Sequence, residues 1–453
     1  MTLHIIILAA GKGKRMRSDL PKVLHPLAGL PLLEHVVRTA TTLHPEGMYI
    51  VYGNGGDLVR TQMAHLQVTW VEQAEAQGTG HAVSQALPAL QDDQQVLILY
   101  GDVPLISQHT LQQLLASTPK NALGILVSTL ENPTGFGRIL RNQTGQVVAI
   151  VEQKDATLEQ QKIQEINTGI MAVSSTHLKK WLPQLSANNA QNEYYLTDIV
   201  AMAVQAGCAV HPVSAASHTE VRGVNTLSEL SQLERIYQRQ KAEHFMQAGV
   251  TLLDPDRFDV RGEVQISPDV TIDINVILEG KIAIGAHSRI GANTILRNVT
   301  VGEYVHIHSH CVIEDAVLER NCAVGPFARI RPGTHIGAGA RVGNFVEVKN
   351  TQFGAGSKAP HLSYIGDATI GENVNLGAGT ITVNYDGVHK HRTIIENNAF
   401  IGCDSQLIAP ITVGEGAYIG AGSTITTNPP AHQLTVARAK QRSIPGWKPK
   451  KQR

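Results

Sequence analysis

The sequence predicts two folds in succession, an α/β layered domain with a mostly parallel sheet and then a parallel β-helix. Residues 1 to about 225 alternate short, continuously apolar runs with longer amphipathic stretches. Beyond about residue 250 an aliphatic residue followed by glycine recurs, in most neighbouring pairs at an offset of six or twelve. That period is too short for a helical repeat and matches the hexapeptide β-helix.

The elements follow in order. Ile5-Ile6-Ile7-Leu8, Tyr49-Ile50-Val51-Tyr52, Val96-Leu97-Ile98-Leu99 and Gly124-Ile125-Leu126-Val127 read as buried strands, with helical segments such as Leu32 to Thr42 between them. From Thr226 to about Gly249, Leu227, Leu230, Leu233, Tyr237 and Phe245 recur at helical spacing, which marks an amphipathic connector. The repeat then runs through Ile284-Gly285, Ile290-Gly291, Ile336-Gly337, Val342-Gly343, Ile370-Gly371, Leu376-Gly377, Ile401-Gly402, Val413-Gly414 and Ile419-Gly420. Each aliphatic side chain enters the coil interior, and the small residue after it permits the turn. A loop leaves the coil at Asn384 to Thr393, and long loops on regular scaffolds often carry function. The expected domains are residues 1–227, a linker helix over 228–248 and the β-helix over 249–453.

Composition narrows the function classes. A chain of 453 residues has room for two or three domains at roughly 150 residues each. Lys+Arg and Asp+Glu number 38 each, so no net field draws a nucleic-acid backbone or an anionic membrane, and partners are recognised locally. Cys208, Cys311, Cys322 and Cys403 are widely spread with no C-x-x-C, which fits a reducing cytoplasm better than a disulfide framework or a cysteine-rich zinc site. The apolar stretch Leu3 to Ala10 is short and has its basic residues after it, so it reads as a buried strand rather than an export signal or a membrane span.

The loop Leu8-Ala9-Ala10-Gly11-Lys12-Gly13-Lys14-Arg15-Met16 follows the first strand, where a glycine-rich turn directs backbone N–H groups at phosphate oxygens. Met16 stands where a dinucleotide fingerprint needs glycine, and no G-x-x-x-x-G-K-[ST] occurs. The cations of this loop, backed by Pro21-Lys22, suit a triphosphate; the bland alternative is a merely tight turn. Tyr100-Gly101-Asp102 ends an apolar strand, at the sheet edge where α/β domains bind ligands, although a lone carboxylate there can also cap a helix.

Together these segments resemble the sugar-nucleotide pyrophosphorylases, and most closely the bifunctional bacterial N-acetylglucosamine-1-phosphate uridyltransferase/glucosamine-1-phosphate acetyltransferase family, over the whole chain. The resemblance implies a Rossmann-like nucleotidyltransferase domain joined to a left-handed β-helix. It implies that Leu8, Ala9, Ala10 and Gly11 contact the nucleotide, with Tyr100 and Gly101 beside it, while Arg15 and Lys22 balance phosphate charge. It implies a uracil reader at Gln73, Gly78 and Thr79, contacts to N-acetylglucosamine at Gly137, Glu152 and Asn167, and Mg²⁺ held by Asp102 and Asn225. Two protein oxygens suit Mg²⁺, which keeps several waters and binds substrate phosphates.

On the β-helix, Gly356-Ser357-Lys358-Ala359-Pro360-His361-Leu362-Ser363-Tyr364 departs from simple hexapeptide spacing. Unaided, His361 reads as a loop histidine. The resemblance implies that it is the general base of acetyl transfer, with Glu347 orienting it and Arg331, Lys349, Tyr364 and Asn375 holding glucosamine-1-phosphate. Acetyl-CoA is then met by Ala378, Asn384, Tyr385, Cys403, Ala421 and Arg438, with Cys403 standing where many members carry serine. The basic tail after Ala437 is either a solvated end or part of that anion site.

His306, His308 and His310 alternate as a zinc site could, but Val305 and Ile307 take the inward positions, so all three histidines are expected to face outward. The implied function is acetylation of glucosamine-1-phosphate by acetyl-CoA and then coupling of the N-acetylglucosamine-1-phosphate to UTP. A homotrimer is implied, with no nucleic-acid or membrane partner. Two rivals are a monofunctional nucleotidyltransferase with a regulatory β-helix and a β-helical scaffold carrying a degenerate nucleotide domain. His361 with Arg331, Lys349 and Tyr364 weighs against the first, and Asp102, Asn225, Arg15 and Lys22 against the second.

Overall fold

In the computed structural model, residues 1–11, 13–53 and 56–448 are described, so Lys12 lies outside the described residues, as do the last five positions of the basic tail. The chain divides into two compact units, Met1–Tyr237 and Gln238–Arg453. The predicted connector is a single helix, Leu227–Gln247, whose residues fall on both sides of that division.

The central sheet of the first unit runs in the order Ala209–Ser214, Ala122–Thr129, Glu165–Ser174, Gln95–Tyr100, Leu3–Leu8, Gly47–Tyr52, Thr69–Glu72. Its pairings are parallel except around Glu165–Ser174, which runs against both neighbours and also pairs with the hairpin Gly137–Arg141 and Val147–Val151. Both sheet faces are covered, which explains why the strands read as unbroken apolar runs. Ile6 packs with Val83 and Ala86 of the helix Thr79–Ala86, whereas Ile5 and Ile7 pack with Val36 and Val37 of the helix Leu32–Thr41. The adjacent parallel strands Leu3–Leu8 and Gln95–Tyr100 end at the same level, with Leu8 opposite Tyr100. The phosphate-type loop and Asp102 therefore emerge side by side.

The second unit is a parallel β-helix. Leu296, Ile313, Ile330, Val348 and Ile365 stack along one ladder, one coil every 17 or 18 residues. All five are fully buried, and each contributes about 2 kcal/mol through burial. Glycine follows the inward residue because coils approach closely: a Cβ on Gly377 would sit 2.5 Å from the Cys403 nitrogen of the next coil. Between Thr382 and its ladder partner Leu407 the chain spends 25 residues, and the excess is the loop predicted at Asn384 to Thr393.

Val305 and Ile307 are buried, with His306 and His310 exposed and His308 half-buried on the outer side, as the alternation predicts. The His306 and His308 rings lie 4.0 Å apart. Among the described residues no helix is long and apolar enough to cross a membrane.

Candidate functional site

Each unit carries one cluster of the residues singled out above. In the first unit, Leu8, Ala9, Ala10, Gly11, Lys14, Lys22, Gln73, Gly78, Thr79, Tyr100 and Asp102 line a cavity of about 600 Å³. A second hollow of about 240 Å³ is lined by Gly11, Gly13, Lys14, Arg15, Lys22 and Asn225. Gly101 is buried at the strand end, where its N–H donates to the Leu8 carbonyl at 2.9 Å. The loop reaches Lys22 because Gly13 has φ +56° and a Cβ there would come within 2.9 Å of the Lys22 Cβ.

Lys22 ties the polar end of the cavity together. Its ammonium donates to the Asp102 carboxylate and, at 3.3 Å, to Asn225 Oδ1, which also accepts from Arg15 at 2.9 Å. Two oxygen ligands, one anionic and one neutral, thus converge on one cation. Such a set suits a hard divalent ion that completes its shell with water and phosphate. Among the described residues no group of three or more His, Cys, Asp or Glu side chains could hold a metal ion. Asn225 is fixed from the main chain: its N–H donates to Glu229 at 2.7 Å, as the Thr226 N–H does at 2.9 Å, while the Glu229 N–H donates to Thr226 Oγ1. This reciprocal cap begins the helix Leu227–Gln247.

Gln73 is buried, and its amide nitrogen donates to the Gly78 carbonyl at 3.1 Å. Thr79 opens the helix Thr79–Ala86 and accepts the Leu196 N–H at 3.0 Å. Gly137, at the start of the hairpin, pairs with Asn167 of the strand Glu165–Ser174, and a Cβ on Gly137 would lie 3.5 Å from the Glu152 carboxylate. These three residues come together, with Glu152 acting electrostatically on Tyr100, but they are not among the residues lining the larger cavity. Burial, reinforced by Glu152 and Asp102, pushes the Tyr100 phenol well above its usual range and keeps it protonated. Burial likewise raises Glu152, against a hydrogen bond from Thr197 and with the help of Asp198 and Asp155.

In the second unit the ladder brings successive turns into register. Asn344 pairs with His361, and the following turns carry Ala378, Cys403 and Ala421. Main-chain bonds stitch this column together, Gly379 N–H to Leu362 at 2.9 Å, Asp404 to Ala378 at 2.7 Å and Gly422 to Cys403 at 2.8 Å. Arg438 donates to the Ala421 carbonyl and so caps the column. Asn375 pairs in register with Lys358 on the strand that ends at His361.

Beside this column, Arg331 donates to Glu347 at 2.8 Å, and Lys349 lies 3.8 Å from Asp367. Asn384 donates to Asp367 at 2.5 Å and to the Tyr364 hydroxyl at 3.4 Å. The neighbouring Lys390, together with burial, lowers the Lys349 pKa. Burial works against ionisation of Asp367, but Asn350, Asn384 and the two lysines outweigh it and hold the carboxyl below its usual range. Tyr385 is exposed on the loop and pairs with Lys390.

One expectation is corrected. Glu347 is engaged by Arg331, and the partner of His361 is Asn344, whose Oδ1 lies 2.7 Å from Nδ1. Glu347 belongs to the opposite ladder, beside Arg329 and Tyr364, whereas Asn344 sits one coil before His361 on the same ladder. The 17-residue spacing was readable, but it gains meaning only once the coil length is known. Ala76 and Glu193, which also line the larger cavity, and Asp367 and Lys390 were likewise missed as site residues, whereas Lys14 is one of the loop cations expected to meet phosphate.

Comparison with known proteins matches both units. The MobA-like NTP transferase domain family matches residues 5–248, the GMPPB C-terminal domain residues 260–351, and the bacterial transferase hexapeptide (six repeats) residues 392–427. The bifunctional protein GlmU of Marinobacter nauticus is 54% identical over 450 residues, 99% of each chain. That of Alkalilimnicola ehrlichii is 53% identical over 446 residues, 98% of this chain and 96% of its own. The chain belongs to the GlmU family. It is a bifunctional transferase, uridylyltransferase and acetyltransferase, and it works on nucleotide and other small-molecule substrates. The family's two domains are the two folds described above, the NTP transferase match on the α/β sheet and the hexapeptide match on the last coils.

Proposed function

We propose that the second unit transfers the acetyl group of acetyl-CoA to glucosamine-1-phosphate and that the first couples the product to UTP, releasing pyrophosphate and UDP-N-acetylglucosamine. The observation that carries this reading is the pairing of a cation-rich, two-oxygen cavity in one unit with a histidine column in the other.

In the uridylyl reaction an oxygen of the sugar phosphate attacks the α-phosphorus of UTP in line, and the bond to the departing pyrophosphate breaks. Arg15 and Lys22, with Lys14 beside them, neutralise phosphate charge, so the step needs positioning rather than a protein nucleophile. Asp102 and Asn225 would hold Mg²⁺, which supplies further charge neutralisation on the phosphates when bound. The Lys22 ammonium, held beside Asp102 and Asn225, would neutralise a phosphate oxygen brought to the same end of the cavity. Gly137, Glu152 and Asn167 receive the N-acetylglucosamine ring, with protonated Tyr100 beside them.

In acetyl transfer, His361 takes a proton from the substrate ammonium. The freed amine attacks the thioester carbonyl, the C–N bond forms, and the C–S bond breaks to leave coenzyme A, which is reprotonated. The Ala378 N–H has no acceptor among the described residues and is available to the developing oxyanion. Arg331, Lys349, Tyr364 and Asn375 bind glucosamine-1-phosphate, while Asn384, Tyr385, Cys403, Ala421 and Arg438 meet acetyl-CoA. The protein works in the cytoplasm as a homotrimer.

Pyrophosphate release from UTP and N-acetylglucosamine-1-phosphate, and thiol release from acetyl-CoA and glucosamine-1-phosphate, test the two halves separately. Either reaction missing in folded protein contradicts that half.

A further inference from the structure

We infer that His81 fixes the orientation of the Gln73 side-chain amide, and so makes the nucleotide cavity choose a pyrimidine that offers a ring N–H, the uracil pattern, over one that offers a lone pair, the cytosine pattern. The inference rests on the uridine reading of this site given above.

Gln73 is 5% exposed and lines the cavity. Its Nε2 lies 3.1 Å from the Gly78 carbonyl oxygen and 3.0 Å from His81 Nδ1. A carbonyl can only accept, so the atom facing Gly78 is the amide nitrogen. Its second hydrogen then points to His81, whose Nδ1 must offer a lone pair. Both amide hydrogens are thereby used inside the protein. Oε1 accepts from no donor among the described residues and is the atom left for a base. An acceptor there pairs with the N3–H of uracil and repels the N3 lone pair of cytosine.

The ring order of His81 follows from its surroundings. A neutral imidazole carries one N–H, yet both of its nitrogens face amide nitrogens, Nδ1 that of Gln73 and Nε2 that of Gln85 at 3.1 Å. The buried Gln73 is held by a main-chain carbonyl. Gln85 also donates to the main-chain carbonyl of His81 at 3.1 Å, but it is only half-buried on the helix Thr79–Ala86, so its side chain can give up that bond to solvent and present an oxygen to an Nε2 proton, whereas the buried Gln73 cannot. Nδ1 is then the lone-pair nitrogen. The Tyr194 ring lies 6.5 Å from that of His81, tilted by 36°.

His81 is therefore a positioning residue, separable from a structural one by which nitrogen a substitution imitates. Asparagine places an acceptor oxygen close to the position of Nδ1, glutamine places one close to Nε2, and leucine offers none. With N-acetylglucosamine-1-phosphate and Mg²⁺ present, kcat/KM is measured for UTP and for CTP in His81→Asn, His81→Gln, His81→Leu and Gln73→Leu, with acetyl transfer by the same preparations reporting folding. His81→Leu and His81→Gln are expected to lower discrimination for UTP about tenfold or more, chiefly through KM, and His81→Asn to keep it within about threefold. If His81→Leu does not fold, the Asn and Gln variants carry the comparison. Wild-type discrimination in His81→Gln alongside its loss in Gln73→Leu overturns the role of His81. Unchanged discrimination in Gln73→Leu overturns base reading by this residue, and with it the uridine reading of the site.

Discussion

Asn344 Oδ1 lies 2.7 Å from Nδ1 of His361, across two adjacent coils of the β-helix. An amide oxygen can only accept, so the imidazole proton sits on Nδ1 and the lone pair is left on Nε2. The base is thus oriented by an uncharged partner in the same ladder.

Removing that partner is expected to slow acetyl transfer without stopping it. Asn344→Leu should lower kcat for acetyl transfer by about tenfold, less than the hundredfold or more expected for His361→Ala, because the ring remains but loses its preferred tautomer. Steady-state kinetics with glucosamine-1-phosphate and acetyl-CoA decide this, and a wild-type kcat in Asn344→Leu would leave the ring oriented by something else.

The two chemistries should separate by mutation, since their residues lie in different units. Asp102→Ala removes the carboxylate of the two-oxygen set and is expected to abolish uridylyl transfer while acetyl transfer stays close to wild type. His361→Ala should do the reverse. Loss of both activities in either variant, with an unchanged circular dichroism spectrum, would count against two independent sites.

Cys403 is exposed, while Cys311 and Cys322 are buried with their thiols pushed up to about 11, chiefly by burial. Burial also raises the Cys208 thiol. An alkylating reagent near neutrality should therefore modify Cys403 first, block acetyl transfer and spare uridylyl transfer. Acetyl-CoA should slow the reaction, and Cys403→Ser should remove the sensitivity and keep activity. Mass spectrometry showing Cys403 fully alkylated with acetyl transfer unchanged would refute its contact with the cofactor.

The loop from Asn384 to Thr393 has an acid-sensitive clasp. Asp386 is held at about 2, below the ordinary 3.8, by the His389 N–H first, then the His391 side chain and the Val388 N–H. A depressed carboxyl stabilises the folded loop above its unfolded value and loses that contribution as pH falls through its folded value, here the window from 3.8 to about 2. Hydrogen exchange at Val388 and His389, corrected for intrinsic rates, should show protection kept at pH 4 in the wild type and reduced at neutral pH in Asp386→Asn. Equal protection in the variant would remove Asp386 from the clasp.

Both folds were legible because their periods are local. Ile5 to Leu8 and the Ile401-Gly402 type of pair announce a doubly covered strand and a short coil in the sequence itself. The antiparallel strand Glu165–Ser174 was not legible, since an apolar run does not show its direction. In the site, Lys22, Asp102 and Asn225 meet across 80 and 203 residues of sequence. Such a meeting is set by strand order and by the Glu229 cap, which no local pattern displays. Glu347 was misplaced for the same reason: alternate positions on neighbouring strands belong to different ladders, and only the coil length says that Asn344, not Glu347, faces His361.

The most direct test supplies glucosamine-1-phosphate, acetyl-CoA, UTP and Mg²⁺ together and follows products by mass spectrometry. The wild-type protein should yield UDP-N-acetylglucosamine, coenzyme A and pyrophosphate, His361→Ala no N-acetylated product, and Asp102→Ala N-acetylglucosamine-1-phosphate that accumulates without being coupled. Folded wild-type protein that releases no UDP-N-acetylglucosamine, or an Asp102→Ala variant that still makes it, would contradict the assignment of the two reactions to these two sites.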